Sequence, residues 1–316
     1  MNSPTDNNIT NNSETDSAIE LESSHWRLRL QPQSGLQTQS CQVQKNKLWH
    51  DVMPDCRSQG PSLGTVLSAS NFHMLPYSNR IRDAQFTFKN QPINLVGAEN
   101  HAIHGALRKL PWRVTEQSQT SVTAEYDTRE EGNVNWPWPI QAAITYTLNA
   151  EQLVSKMSLT NRGKTTMPAG MGWHPYFSRT IAGGHPELTI SVDGMYPDTD
   201  GDCLPISAAI PLSPEIDFNQ TRKLNPEQRI DHCLSGFRSP ATLRWPSAGI
   251  VLEMHASDNC THLVLYNPDE PYFAVEPVTN ANDAFNLAAK GIDAGVCELE
   301  PGATLNAEMR LILRQN

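Results

Sequence analysis

The apolar residues of this chain recur at every second position rather than with a helical period. In residues 140–148, Ile140, Ala142, Ile144, Tyr146 and Leu148 fall on one face, with Gln141, Thr145 and Thr147 on the other. A turn over residues 149–152 follows, and then Leu153, Met157 and Leu159 alternate with Lys156, Ser158 and Thr160. Successive side chains of an extended chain point to opposite sides, so this pattern predicts a hairpin of two half-buried strands. The same period places Leu305, Ala307, Met309, Leu311 and Leu313 together near the end, and Trp26, Leu28 and Leu30 against Arg27 and Arg29 near the start. Residues 242–254 read as two short strands around a Pro246–Gly249 turn. No long segment carries a helical stripe. Many short strands separated by turn signals predict an all-β sandwich or barrel. With no internal repeat and no interdomain linker, residues 23–316 read as a single β-sandwich domain.

Residues 1–22 are almost wholly polar and are expected to form a flexible tail, because they have too little apolar area to offset the entropy of ordering. They lack the basic start and apolar stretch of a secretory signal. Six cysteines are scattered without a Cys-x-x-Cys pair, which fits reduced thiols and a cytoplasmic protein. Lys plus Arg number 24 against 34 Asp plus Glu, a net charge of −10, so no basic excess exists to hold a nucleic-acid backbone. No run approaches the roughly 20 apolar residues of a membrane helix.

Several familiar constellations are missing. There is no phosphate-binding loop, no dinucleotide fingerprint and no serine-nucleophile elbow. His101 and His104 have the spacing of a helical metal pair, but no helix and no third ligand accompany them. Asp198, Asp200 and Asp202 resemble the start of a calcium loop, yet Cys203 and Ala209 stand where its glycine and closing glutamate belong. An acidic turn is the reading there. No metal is expected.

Three segments set polar groups among apolar ones. In Pro76-Tyr77-Ser78-Asn79-Arg80-Ile81, the arginine serves either an anion or a set of oxygens, or else a structural ion pair. In Met171-Gly172-Trp173-His174-Pro175-Tyr176-Phe177, the proline pushes His174 towards an extended backbone, and aromatic neighbours desolvate its ring. That suits a proton donor or a satisfied core histidine. In Tyr272-Phe273-Ala274-Val275-Glu276-Pro277-Val278, Glu276 is the only charge. Burial would raise its pKa into the range of a general base, unless an arginine pairs with it. His104-Gly105 and Asp231-His232 add polar positions, and Gly105 reads as a close backbone approach or a turn.

Taken in order, these segments resemble the aldose 1-epimerase (galactose mutarotase) family. The matching pieces are Ser78-Asn79-Arg80-Ile81, Ile103-His104-Gly105 with Pro111-Trp112, Trp173-His174-Pro175-Tyr176-Phe177, Ile230-Asp231-His232, Val275-Glu276-Pro277 with Asn282-Asp283-Ala284-Phe285-Asn286, and Leu299-Glu300-Pro301-Gly302. The resemblance implies a large antiparallel β-sandwich, the galactose mutarotase-like supersandwich, with a sugar in an open groove on one sheet. It implies a small-molecule sugar substrate, no cofactor and a monomer or homodimer. By the same resemblance Glu276 is the general base and His174 the general acid, while Asn79, Arg80, His104, Tyr176 and Asp231 contact the sugar. The chain differs from galactose-type members at Val278, where a glutamine is common, at Ala106, where a second glycine is usual, and in a short stretch between Tyr266 and Glu276. What is implied is therefore the proton chemistry rather than a particular hexose.

Two further readings share the fold: a hexose-6-phosphate mutarotase, with Arg179 as a phosphate partner, and a sugar-binding sandwich without turnover. A glycosidase would need two carboxylates flanking the bond, and only Glu276 has such a setting. For a mutarotase, His174 and Glu276 are expected to face each other across the width of a sugar ring. The aromatic wall is expected from Tyr176, with Trp136 and Trp138 as further candidates.

Overall fold

The computed structural model describes residues 18–57, 67–96, 101–198 and 201–314. Its largest sheet has nine strands. The predicted hairpin lies inside it as Ile140–Leu148 and Gln152–Asn161, flanked by Ser121–Asp127 on one side and the C-terminal strand Thr304–Arg314 on the other. Ile140, Ala142, Ile144, Tyr146 and Leu148 are all buried, as their alternation requires. The strands Arg238–Trp245 and Ile250–Ala256 meet at the Pro246–Ala248 turn, where Gly249 takes up a left-handed φ of 63°. Ala284–Ala289 is the one α-helix among the described residues.

An eight-stranded sheet packs against this layer. Trp245 of the first sheet meets Phe273 of the second at 6.4 Å between ring centroids. In the other direction the Trp173 indole donates to Ser155 Oγ at 2.9 Å. One core, running from Ile19 to Leu313, fills the space between the layers. Each large aliphatic side chain buried there contributes about 1.5–3 kcal/mol.

The N-terminal reading needs one correction. Ile19–Glu22 is a strand, antiparallel to Trp26–Gln31 in a four-stranded sheet, and not the end of a tail. Ile19 and Leu21 are buried while Glu20 and Glu22 are exposed, so two apolar residues at strand spacing suffice to dock it. Residues 1–17 lie outside the described residues, as do Asp200 and its neighbour Thr199 of the acidic turn. All six cysteines are free thiols. No helix among the described residues is long and apolar enough to cross a membrane.

The strand Tyr272–Val278 explains why Glu276 stands alone in an apolar run. All seven of its residues are buried. Phe273 and Val275 point into the main core. Tyr272, Ala274, Glu276 and Val278 alternate to the other face, where Val278 packs with Phe72 and Met74. A strand covered on both sides reads as continuous apolar sequence, and the single carboxylate therefore enters a nearly dry space.

Candidate active site

Sheet register assembles half of the site. Asp231 pairs with Tyr266, Tyr266 with Ala274, and Ala274 with Tyr176, so these four share one row and one face across neighbouring strands. Glu276 lies two residues along from Ala274 and joins the same face. Ala274, the smallest side chain of the row, leaves the floor open between two tyrosines.

Loops supply the rest. Arg80 pairs with Ile103, and the His104 N–H donates to the Asn79 carbonyl at 2.7 Å. Asn79 and His104 both adopt left-handed backbone, at φ 44° and 62°. Non-glycine residues rarely take that conformation unless their surroundings impose it, and such strain gathers at functional sites. Gly105 has φ 74°, and a Cβ there would stand 2.2 Å from the Leu75 carbonyl oxygen. The glycine is thus both a turn and a close approach. His174 is held by its own N–H, which donates to the Phe72 carbonyl at 3.0 Å, and by Pro175, which keeps it extended.

Asn79, Arg80, His104, His174, Tyr176, Asp231 and Glu276 converge on one cavity of about 170 Å³, and Tyr266 completes the lining. Tyr266 was not singled out from sequence; its place follows from register with Asp231, which no local motif records. Tyr176 and Tyr266 form the aromatic surface. Trp136 and Trp138 do not take part. They line a separate cavity, where Trp136 stacks on Phe86 at 5.6 Å and lies 5.8 Å from Phe285.

His174 Nε2 and Glu276 Oε1 are 3.2 Å apart. The expected gap of one sugar ring is therefore absent, and the two groups stand side by side at the same end of the cavity. The physical reason lies in register: Gly172 pairs with Val278 and Tyr176 with Ala274, so His174, midway between them, comes opposite Glu276 on the neighbouring strand. Tyr176 Oη lies 3.4 Å from the same imidazole nitrogen. Arg80 and Asp231 approach to 4.0 Å at the more open side.

Electrostatics separates the pair from its ordinary chemistry. Burial raises the Glu276 pKa well above the usual carboxylate value, the Asp231 charge adds to this, and Arg80 offsets part of it. Burial lowers the His174 pKa to about 3, with the Arg108 and Arg80 charges acting in the same direction. His104 is pushed well below its ordinary value by burial, then by His174, Arg108 and Arg80. Glu276 Oε2, His174 Nδ1 and Asn79 Oδ1 are buried without a hydrogen-bond partner. Buried polar atoms are nearly always paired, and three orphans at one cavity mark a place built for a polar ligand.

Arg179, the phosphate candidate, is spent on structure. It donates to the Asn267 side chain and to the carbonyls of Glu270, Pro268 and Tyr272, all at 2.7–2.9 Å. His101 turns towards Asp83 and Asp202, at 3.6 and 3.9 Å, while His104 faces the cavity. Among the described residues no three His, Cys, Asp or Glu side chains are grouped to hold a metal ion.

A large antiparallel β-sandwich of two packed sheets is the galactose mutarotase-like fold. The chain belongs to the aldose 1-epimerase family, whose model matches residues 58–311. It is 26% identical over 274 residues to the uncharacterised protein YphB of Escherichia coli K12, covering 83% of this chain and 90% of that one. Its fold is similar to that of a galactose mutarotase-like protein from Lactobacillus casei, with a TM-score of 0.76 at 18% identity over 94% of this chain and all of the other. The GalM/aldose epimerase homologue from Caenorhabditis elegans superposes with a TM-score of 0.75 at 18% identity, covering 94% of this chain and 98% of that one.

Proposed function

We propose that this protein is an aldose 1-epimerase that interconverts the α and β anomers of an uncharged aldose by acid–base ring opening and closure. The observation that carries this reading is the Glu276–His174 pair, buried, 3.2 Å apart and with an unpartnered atom on each member. Glu276 removes the proton of the anomeric hydroxyl. The C–O bond to the ring oxygen breaks as the carbonyl forms, and the ring oxygen takes a proton from His174. Rotation about the adjacent C–C bond presents the other carbonyl face, and the reverse transfers close the ring.

One proton shared by the pair is sufficient for this cycle. With the cavity empty, the pKa shifts favour that proton on Glu276 beside a neutral imidazole. Sugar hydroxyls donating to the carboxylate favour its transfer to His174 and so the form that opens the ring. A coupled pair of this kind titrates as a unit. Positioned proton transfer is worth roughly 10²–10⁴-fold per group.

An uncharged substrate is favoured by the cations. Arg80 is the one cationic side chain lining the cavity among the described residues, and it faces Asp231. A phosphate would meet that carboxylate, and Arg179 is held away by four structural hydrogen bonds. Polarimetry of freshly dissolved α-anomers of several free aldoses tests the proposal. The protein should speed the approach to equilibrium without moving its end point. No acceleration for any aldose would reduce the chain to a sugar-binding sandwich, and faster turnover of a hexose 6-phosphate than of its free hexose would reverse the substrate reading.

A further inference from the structure

Outside the lining of the cavity, and in contact with one of its members, lies Arg108. Its Nη1 is 2.9 Å from His104 Nδ1. Its guanidinium covers the Phe72 ring at 4.7 Å from the centroid. Phe72 packs in turn on both imidazoles, at 5.1 Å from His104 and 4.6 Å from His174. Arg108 forms no ion pair among the described residues, so its charge is directed at this cluster.

A guanidinium has donors only. The His104 Nδ1 that meets it must therefore offer a lone pair, and the ring's proton must sit on Nε2. A doubly protonated ring would place one N–H against another and one cation against another. Of the two ring nitrogens, Nε2 is then the one left for the cavity that His104 lines. The two imidazoles lie 5.1 Å apart with their planes at 82°.

We propose that Arg108 is a positioning residue that holds His104 neutral with its proton on Nε2, so that the site presents a fixed N–H donor to a substrate oxygen. The identity of that oxygen as a sugar oxygen rests on the mutarotase reading; the tautomer does not. The opposite tautomer would turn a lone pair towards the sugar oxygen, acceptor against acceptor. A neutral donor also takes no part in the traffic of the Glu276–His174 proton, although Arg80, Asp231 and Glu276 line the same cavity. The planar guanidinium suits the task because it stacks on Phe72 and donates at the same time.

The test is two-bond ¹H–¹⁵N correlation spectroscopy on the full-length protein labelled at histidine nitrogens, with the His104 signals assigned by their loss in His104→Gln. In the wild type, Nε2 should be protonated and Nδ1 not, without titration across roughly pH 5–8. In Arg108→Met, which keeps an apolar stem over Phe72, the proton should distribute between the two nitrogens or the ring should titrate. Arg108→Lys should keep the wild-type tautomer. In polarimetry Arg108→Met should lose about tenfold in kcat, the equivalent of one hydrogen bond, and Arg108→Lys should recover most of it. Wild-type His104 protonated on Nδ1, or titrating near its ordinary value, would overturn the proposal. So would an unchanged tautomer in a folded Arg108→Met protein. If that variant does not fold, the wild-type and Arg108→Lys spectra decide. If the tautomer behaves as stated and no sugar mutarotates, the catalytic reading fails and the assignment to Arg108 stands.

Discussion

Glu276 and His174 approach to 3.2 Å, both buried, and among the described residues neither forms an ion pair with an arginine or lysine. A buried carboxylate beside a buried imidazole holds one proton that can sit on either member. This relationship makes the first expectations sharp.

Glu276→Gln preserves shape and removes the proton acceptor. We expect kcat for mutarotation to fall by more than about 10²-fold with the fold retained. His174→Asn should fall comparably. Because the two act on one proton, the double variant should be little worse than either single one. Stopped polarimetry on the three variants checks this, and independent, multiplicative losses would show that the groups do not work as a pair.

The raised Glu276 pKa has a consequence for stability. The folded protein binds this proton more tightly than the unfolded chain, so the contribution of Glu276 is fully present below pH 4.5 and is lost as pH rises towards the folded value. Glutamine carries no such penalty. The Tm of Glu276→Gln minus that of the wild type should therefore grow as the pH is raised from 4.5. A difference that stays flat with pH would place the carboxylate in a better solvated setting than the cavity offers.

Histidines act in the opposite sense. Burial lowers His73 and His174 to about 3 and His262 to about 4, from 6.5. Below pH 6.5 the unfolded chain takes up protons that the folded one refuses, so wild-type stability should fall steadily as the pH drops from 6.5 towards these values. By linkage, a fully buried histidine with such a shift is worth on the order of a few kcal/mol. Thermal melts across this range check the slope, and a Tm independent of pH there would mean that these rings are protonated in the fold.

Gly105→Ala should damage both stability and catalysis. The new Cβ would stand 2.2 Å from the Leu75 carbonyl oxygen at a φ of 74°, so the loop must shift and carry His104 with it. A loss of about 1–3 kcal/mol is expected from the strained backbone alone. Denaturant unfolding measures it, and the kcat of the folded fraction should fall as well. A fully stable, fully active variant would show that the loop has room elsewhere.

Tyr266→Ala should act on binding. Tyr266 lines the cavity on the other side of Ala274 from Tyr176, and no hydrogen bond or ion pair joins it to Glu276 or His174 among the described residues. KM should rise several-fold, by the loss of roughly 1 kcal/mol of aromatic contact, with kcat changed less. A loss confined to kcat would move Tyr266 into the proton-transfer machinery.

Glu276 was legible in the sequence because a lone charge in an apolar run has few physical explanations. His174 was legible because proline and aromatic neighbours restrict and desolvate it. Tyr266 was not, because it belongs to the site only through register with Asp231 and Ala274, and register depends on strands distant in the chain. Arg108 has no local signature, because its partner is a ring nitrogen whose direction depends on the left-handed turn at His104 and Gly105. Ile19–Glu22 reads as tail in the sequence because two apolar residues carry little weight until a neighbouring strand offers them a surface.

Periodicity and side-chain chemistry are local properties, and the sequence alone therefore determined the all-β architecture, the half-buried hairpin and the residue types able to move a proton. Distances between segments far apart in the chain are decided by packing. Only the tertiary structure could bring the imidazole next to the carboxylate instead of across a ring from it, withdraw Arg179 into four hydrogen bonds and send Trp136 to another cavity. Each of these outcomes depends on which face a strand turns towards its neighbour, and that is fixed by the sheet as a whole.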